Sequence, residues 1–120
     1  MNKVSLPEKL SLFSEHWRPK VVGVANGQEW KVVKIQGEFL WHSHPDADET
    51  FLCWKGNMRV ETRDETFRLT PGEMVVVPAG VEHRTSSDEE AEVVILAPVG
   101  LRNTGDKVDE RLTAPDGVRI

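Results

Sequence analysis

The chain has 120 residues, with 15 Lys and Arg against 20 Asp and Glu for a formal net charge of −5. That length suits one globular domain, and an acidic chain whose basic residues are scattered lacks the positive face of a nucleic-acid binder. The apolar runs 74–80 and 93–99 fall far short of the roughly 20 residues of a membrane helix, the N-terminal stretch has no secretory apolar core, and the single cysteine, Cys53, rules out an intrachain disulfide, so a cytoplasmic protein with no nucleic-acid or membrane partner is expected.

The first predicted element is an amphipathic helix over about 5–17. Ser5 and Glu8 stand three apart as a capping box, and Pro7 occupies an early position that tolerates it. Leu6, Leu10, Phe13 and Trp17 follow at spacings of four, three and four, which draws one apolar stripe for docking on the body. His16 has no other metal-ligating side chain at a matching spacing and reads as a surface residue at the helix end.

From Lys20 the signals change to short strands. The runs 21–25 and 29–36 flank Asn26-Gly27, a pair that accepts positive φ and marks a tight hairpin. Further runs at 37–44, 49–54, 57–63, 66–70, 72–78, 81–87 and 91–98 recur between Gly, Pro or charged breaks. Many short, evenly spaced strands predict an all-β fold, a single antiparallel β-barrel or jelly roll over about 20–98. Beyond Pro98 the pattern fades into a surface tail, 99–120, with room for a short terminal strand. The whole chain reads as one domain with a short N-terminal helix.

Within these strands the stretch Trp41–Gly56 carries chemistry. His42 and His44 are two apart, so alternation puts both imidazoles on one side. Pro45 to Asp48 suits a tight reversal, after which Glu49 opens the next strand. A second histidine segment holds Gly72, Pro78, Gly80 and His83.

These residues resemble the two motifs of the cupin superfamily of small metal-binding β-barrels. The first runs from a Gly through His-x-His and Glu to a closing Gly, matched by Gly37, His42, His44, Glu49 and Gly56. The second runs Gly, Pro-x-Gly, His, Asn, matched by Gly72, Pro78, Gly80 and His83. Gly37 stands one residue nearer His42 than is usual, and Ser87 takes the place of the Asn; neither departure touches a ligand. The resemblance implies that His42, His44, Glu49 and His83 hold one divalent metal ion (Fe, Mn, Zn or Ni). Three imidazoles and a carboxylate suit such ions on chemical grounds as well, and an octahedral site would leave two positions for water or substrate.

Parity extends the reading to the surroundings. If the ligands face inward, Leu40, Phe51 and Cys53 do too, and His83 brings Thr85, which predicts a mainly apolar pocket with Cys53 as a small buried filler. Phe39, Trp41, Leu52 and Trp54 would then form an outer apolar patch, to be covered by the helix or by a second subunit. Homodimers are common in the family, and one is expected here.

A cupin fold hosts oxygenases, isomerases, decarboxylases and non-catalytic proteins. The chain has no tyrosine, which excludes the Cys-Tyr crosslink of some thiol dioxygenases of the family and disfavours its tyrosine-dependent sugar epimerases. Sugar phosphates would need basic residues at the pocket, and Arg59, Arg63, Arg68 and Arg84 read as mostly solvated. The expected activity is that of a metal-dependent enzyme acting on a small organic molecule, with Glu49 as a catalytic residue able to release a proton-accepting oxygen. The alternative is a small-molecule binding or sensing module whose metal anchors the ligand.

Overall fold

The chain is mostly β. The computed structural model describes residues 1–120 and contains one small helix, α1 (Leu6–Leu10), and seven strands: β1 (Lys20–Ala25), β2 (Gln28–Glu38), β3 (Glu49–Lys55), β4 (Met58–Glu61), β5 (Thr66–Leu69), β6 (Met74–Val77) and β7 (Arg84–Pro98). Every strand pairing is antiparallel. No helix is long and apolar enough to cross a membrane.

The β1–β2 hairpin forms where Asn26-Gly27 places it, both residues taking positive φ (53° and 71°), as the twist of a two-residue hairpin turn requires. The 15-residue β7 organises the rest. It pairs along one side with β2 and on the other with β4 at its start and β3 further on, giving the order β1-β2-β7-β3-β6 with a β4–β5 arm folded over. This bending of one seven-stranded sheet across β7, rather than a closed ring of hydrogen bonds, gives the jelly-roll form. Its concave side buries a cluster that includes Val33, Ile35, Phe51, Cys53, Met58, Val60, Val93 and Ile95, each large side chain worth about 1.5–3 kcal/mol of apolar burial.

The helix is shorter than the 5–17 expected. Ser5 caps it, its Oγ accepting the Glu8 N–H at 3.3 Å, but the Ser11 N–H already closes the last turn onto Pro7 and Glu8 carbonyls. Leu6, Leu10 and Phe13 pack as expected on the outer face of the sheet, against Val32 and Val94. Trp17 leaves that stripe. It takes a φ of 62°, donates its backbone N–H to Lys34 O at 2.9 Å, and packs on the inner cluster instead. His16, next to it, is not at a helix end but forms a solvent-facing pair with Glu90 at 2.8 Å.

The predicted outer patch does not exist as such, because β2 ends at Glu38 and alternation ends with it. Phe39 is buried, stacked on Trp17 with ring centroids 4.9 Å apart and edge-on to His42 at 5.4 Å. Trp41 lies under the Arg63 and Arg84 guanidinium groups, at 3.9 and 5.0 Å, a cation–π cover. Leu52 packs beneath the helix, and of the four only Trp54 is exposed, at 39%. The tail 99–120 forms no strand or helix, yet it is more than a surface wrap: Thr104 and Ala114 are buried in it.

Candidate metal centre

Glu49 is the first residue of β3, His83 immediately precedes β7, and His42 and His44 lie on the irregular segment between β2 and β3. Reciprocal backbone hydrogen bonds join His42 and His83, N–H to O, at 3.0 and 2.9 Å. That single bridge carries the two-residue spacing of the first motif across to the second. The three ring centroids stand 4.5 to 5.7 Å apart, and one donor atom from each of His42, His44, Glu49 and His83 lies within 4.8 Å of all the others. All four residues are buried.

Hydrogen bonding aims these rings. His42 Nδ1 and His83 Nδ1 sit 3.0 and 2.8 Å from the carbonyls of Leu40 and Val81. An Nδ1–H donated there leaves Nε2 as a lone pair directed at the centre. Glu49 Oε1 faces two of the three rings, 3.3 Å from His83 Nε2 and 3.1 Å from His44 Nε2. The His44 contact is out of line for a hydrogen bond, so both His44 nitrogens are buried without a partner.

Such an orphan is costly, about 1–3 kcal/mol, unless something satisfies it. Four converging donors of a type that suits divalent first-row ions, one with nothing else to bind, fit a metal ion. Protonation agrees with this. Burial lowers the His42 pKa from 6.5 to about 4, which keeps the imidazole neutral, the form a metal requires. Burial by itself would raise Glu49, but the His44 and His83 rings beside its oxygen more than offset this and hold it at about 2, an ionised carboxylate at all ordinary pH.

A cavity of about 40 Å³ opens onto His42 and Glu49. Its walls are Val33, Ile35, Met58, Val93 and Ile95 of the sheet, with Phe51, Thr85 and Phe39, and with Trp17, Pro19 and Asn103 from outside it. Of the four residues expected to line a pocket, Phe51 and Thr85 do so, whereas Leu40 and Cys53 do not. Leu40 lies on a segment that is not a strand, so the alternation that predicted its side does not hold there. Cys53 sits in the inner core cluster, where its thiol donates to Gly56 O at 3.3 Å and burial raises its pKa, with Glu73 adding to the effect. The inward parity of Val33 and Ile35 was available from the alternation of β2. Trp17 and Asn103 had no local signal, since their position depends on where distant segments cross. Ser87, at the position of the family's Asn, is buried and donates to Ile35 O at 3.3 Å.

A family model of the cupin domain matches residues 30–99. The chain is a cupin. A cupin-2 domain containing protein from Shewanella frigidimarina NCIMB 400 is 41% identical in its crystal structure, with a TM-score of 0.78 over 79% of this cupin and 93% of that chain. Protein NMB1881 from Neisseria meningitidis is 28% identical, with a TM-score of 0.74 over 81% of this chain and 99% of its own. The uncharacterized protein YdbB of Bacillus subtilis (strain 168) is 40% identical over 58 residues, 48% of this chain and 51% of YdbB, so the match spans about half the length of that curated relative. The family match begins after Trp17 and Pro19 and ends before Asn103, so three walls of the cavity come from outside it.

Proposed function

We propose that this cupin is a divalent-metal-dependent enzyme acting on a small, largely apolar organic molecule that meets the metal through an oxygen atom. The observation that carries this reading is the apolar cavity opening directly onto His42 and Glu49, with no Lys or Arg among its walls. A phosphorylated or multiply charged substrate would be desolvated there without a partner, at large cost. The four arginines weighed as phosphate ligands are elsewhere; Arg84, for instance, is spent on Glu61 and Glu38, at 3.0 and 2.9 Å.

His42, His44, Glu49 and His83 would hold the ion, which supplies a Lewis acid to polarise a substrate oxygen. The chain's own contributions are distinct. The sheet walls exclude water, and Thr85 offers the one hydroxyl facing the cavity. The Asn103 amide is occupied, donating to Leu112 O at 2.8 Å and accepting from the Ala114 N–H at 2.9 Å. Glu49, ionised and with both imidazole contacts on Oε1, keeps Oε2 as a proton acceptor.

The test is turnover. Protein loaded anaerobically with ferrous iron, and separately with manganese or zinc, is offered enediols, diketones and hydroxylated aromatics. Oxygen uptake that depends on the added compound identifies an oxygenase; product formed without oxygen identifies an isomerase or decarboxylase. In either case Glu49→Gln that retains metal is expected to lose turnover. Since the cavity is small, Trp17→Ala is expected to admit bulkier members of the same panel, seen as a lower KM for them. The small cavity also favours a second reading, a ligand-binding module. Compounds that raise the melting temperature by binding only the folded chain, with no product under any metal, would establish that reading in place of an enzyme.

The proposal includes a homodimer. The register puts Trp30, Leu96, Thr50 and Val76 in one row across four strands, and Met74 on the next. On this outer face Trp30, Val76 and Met74 are 44%, 49% and 56% exposed, an apolar stripe of the kind that marks association surfaces. Light scattering is expected to give twice the 13.5 kDa chain mass, falling to the single mass in Trp30→Glu. A wild-type monomer would remove the dimer.

A further inference from the structure

The C-terminal segment touches the candidate site at one place with unusual closeness. Gly105 is buried, with φ +58°, and a Cβ built on it would fall 2.1 Å from Ser43 O and 2.9 Å from His42 Cδ2. No side chain fits between this backbone and the Ser43 carbonyl and His42 ring. The next residue grips Ser43 by both of its backbone groups: the Asp106 N–H donates to Ser43 O, and the Ser43 N–H donates to Asp106 Oδ1, each at 2.9 Å. Ser43 is the residue between His42 and His44. Fixing its two backbone groups therefore sets the direction in which both flanking imidazoles leave the chain.

The segment that does this is itself rigidly built. Arg102 closes a turn onto Gly105, its carbonyl accepting the Gly105 N–H and its Nε donating to Gly105 O, both at 2.9 Å. Thr104, fully buried, bonds Lys107 O at 2.7 Å and the Thr113 hydroxyl at 2.8 Å. The end of the chain is tied to the sheet by the Val21 N–H on Val118 O at 2.7 Å. By contrast, the stretch it grips belongs to no strand and is otherwise held by few backbone bonds, among them those of the His42–His83 bridge and the Gly80 N–H on His44 O at 2.9 Å. Between β2 and β3 the only ladder contact is the His42–His83 bridge, and the His44 ring makes no hydrogen bond.

We propose that Gly105 and Asp106 are positioning residues for the metal centre: the C-terminal strap clamps the His42–Ser43–His44 backbone and thereby sets metal affinity. The inference rests on the metal reading of the four buried ligands and assigns a role to a segment that lies outside the stretch matched by the family. A site with ligands on an irregular segment needs an outer contact to fix them, and losing such a contact typically costs 10–100-fold in affinity.

The experiment measures zinc affinity of the full chain by competition with a chromophoric chelator, and the visible spectrum of the cobalt-loaded protein. Gly105→Ala and Asp106→Ala are expected to weaken zinc binding 10–100-fold and to shift the cobalt bands. Asp106→Asn, which keeps an acceptor oxygen for the Ser43 N–H, is expected to restore most of the affinity. If Gly105→Ala fails to fold, the two Asp106 variants, which change only a partly exposed side chain, carry the test. Zinc bound as tightly by the folded variants as by wild type, even with a lowered melting temperature, would show the strap to be merely structural and overturn the clamp alone. A wild-type chain that binds neither zinc nor cobalt would overturn the metal reading and the clamp with it.

Discussion

His44→Ala is expected to lose its metal. In the metal-free chain the His44 ring is buried with both nitrogens unpartnered, so its removal forfeits packing but no hydrogen bond. The apo variant should therefore fold, with only a modest drop in stability. The effect appears when metal is added. At a free metal concentration 100 times its Kd, the wild-type folded state gains about 2.7 kcal/mol, visible as a rise in melting temperature that a chelator reverses. A variant with three of four donors should bind at least 100-fold more weakly, since even an outer contact is worth 10–100-fold, and its melting temperature should not respond. His16→Ala, which removes only a surface pair with Glu90, should match wild type. Metal content after dialysis, with thermal melts in the presence and absence of metal, checks both. Equal occupancy in wild type and His44→Ala would remove His44 from the ligand set.

Phe51→Ala is expected to cost about 3–5 kcal/mol, a large part of the 5–15 kcal/mol that holds a typical domain together. Phe51 is 5% exposed, lies in the inner cluster and is edge-on to His83 at 5.9 Å between ring centroids. Truncation removes the apolar contacts of the ring and leaves a hole that β3, paired on both sides to β6 and β7, is not free to fill. The melting temperature of the apo protein should fall by roughly 10–20 °C. Phe51→Leu should recover most of that loss, as it refills most of the volume. A change under about 1 kcal/mol for the alanine variant, in denaturant unfolding of the metal-free chain, would mean that the cavity walls collapse inward and that the core is softer than its packing indicates.

The exposure of the cavity to non-sheet walls connects these two results to function. Phe51 and the β2 and β7 side chains form a wall set by hydrogen-bonded ladders, whereas Trp17 and Asn103 arrive on segments with no ladder of their own. Under the enzyme reading proposed above, the size of molecule admitted should therefore respond more to Trp17 than to the sheet.

What could be read from the chain alone was whatever depends on neighbours a few residues apart. The all-β class followed from strands at regular intervals, the hairpin from Asn26-Gly27, and the cupin relationship from two ordered motifs. The helix start followed from Ser5, since a cap acts within one turn. The grouping of His42, His44, Glu49 and His83 was also legible as a pattern, although the strand expected to present the first two is an irregular segment, and the bridge to His83 does that work. Everything governed by contacts between distant parts of the chain lay beyond local reading. Alternation predicted an inward Leu40 and an outward Phe39; with β2 ending at Glu38, Phe39 is buried and lines the cavity while Leu40 does not. The stripe that put Trp17 on an amphipathic helix assumed that the helix continued, while the backbone bond to Lys34 and the space beside Phe39 carried Trp17 to the other side of the sheet. Gly105 was one glycine in an irregular tail until the fold laid it against His42, where the absence of a Cβ matters. Local preferences of a few tenths to one kcal/mol specify elements, but the burial of whole side chains, at several kcal/mol each, decides which face of an element survives.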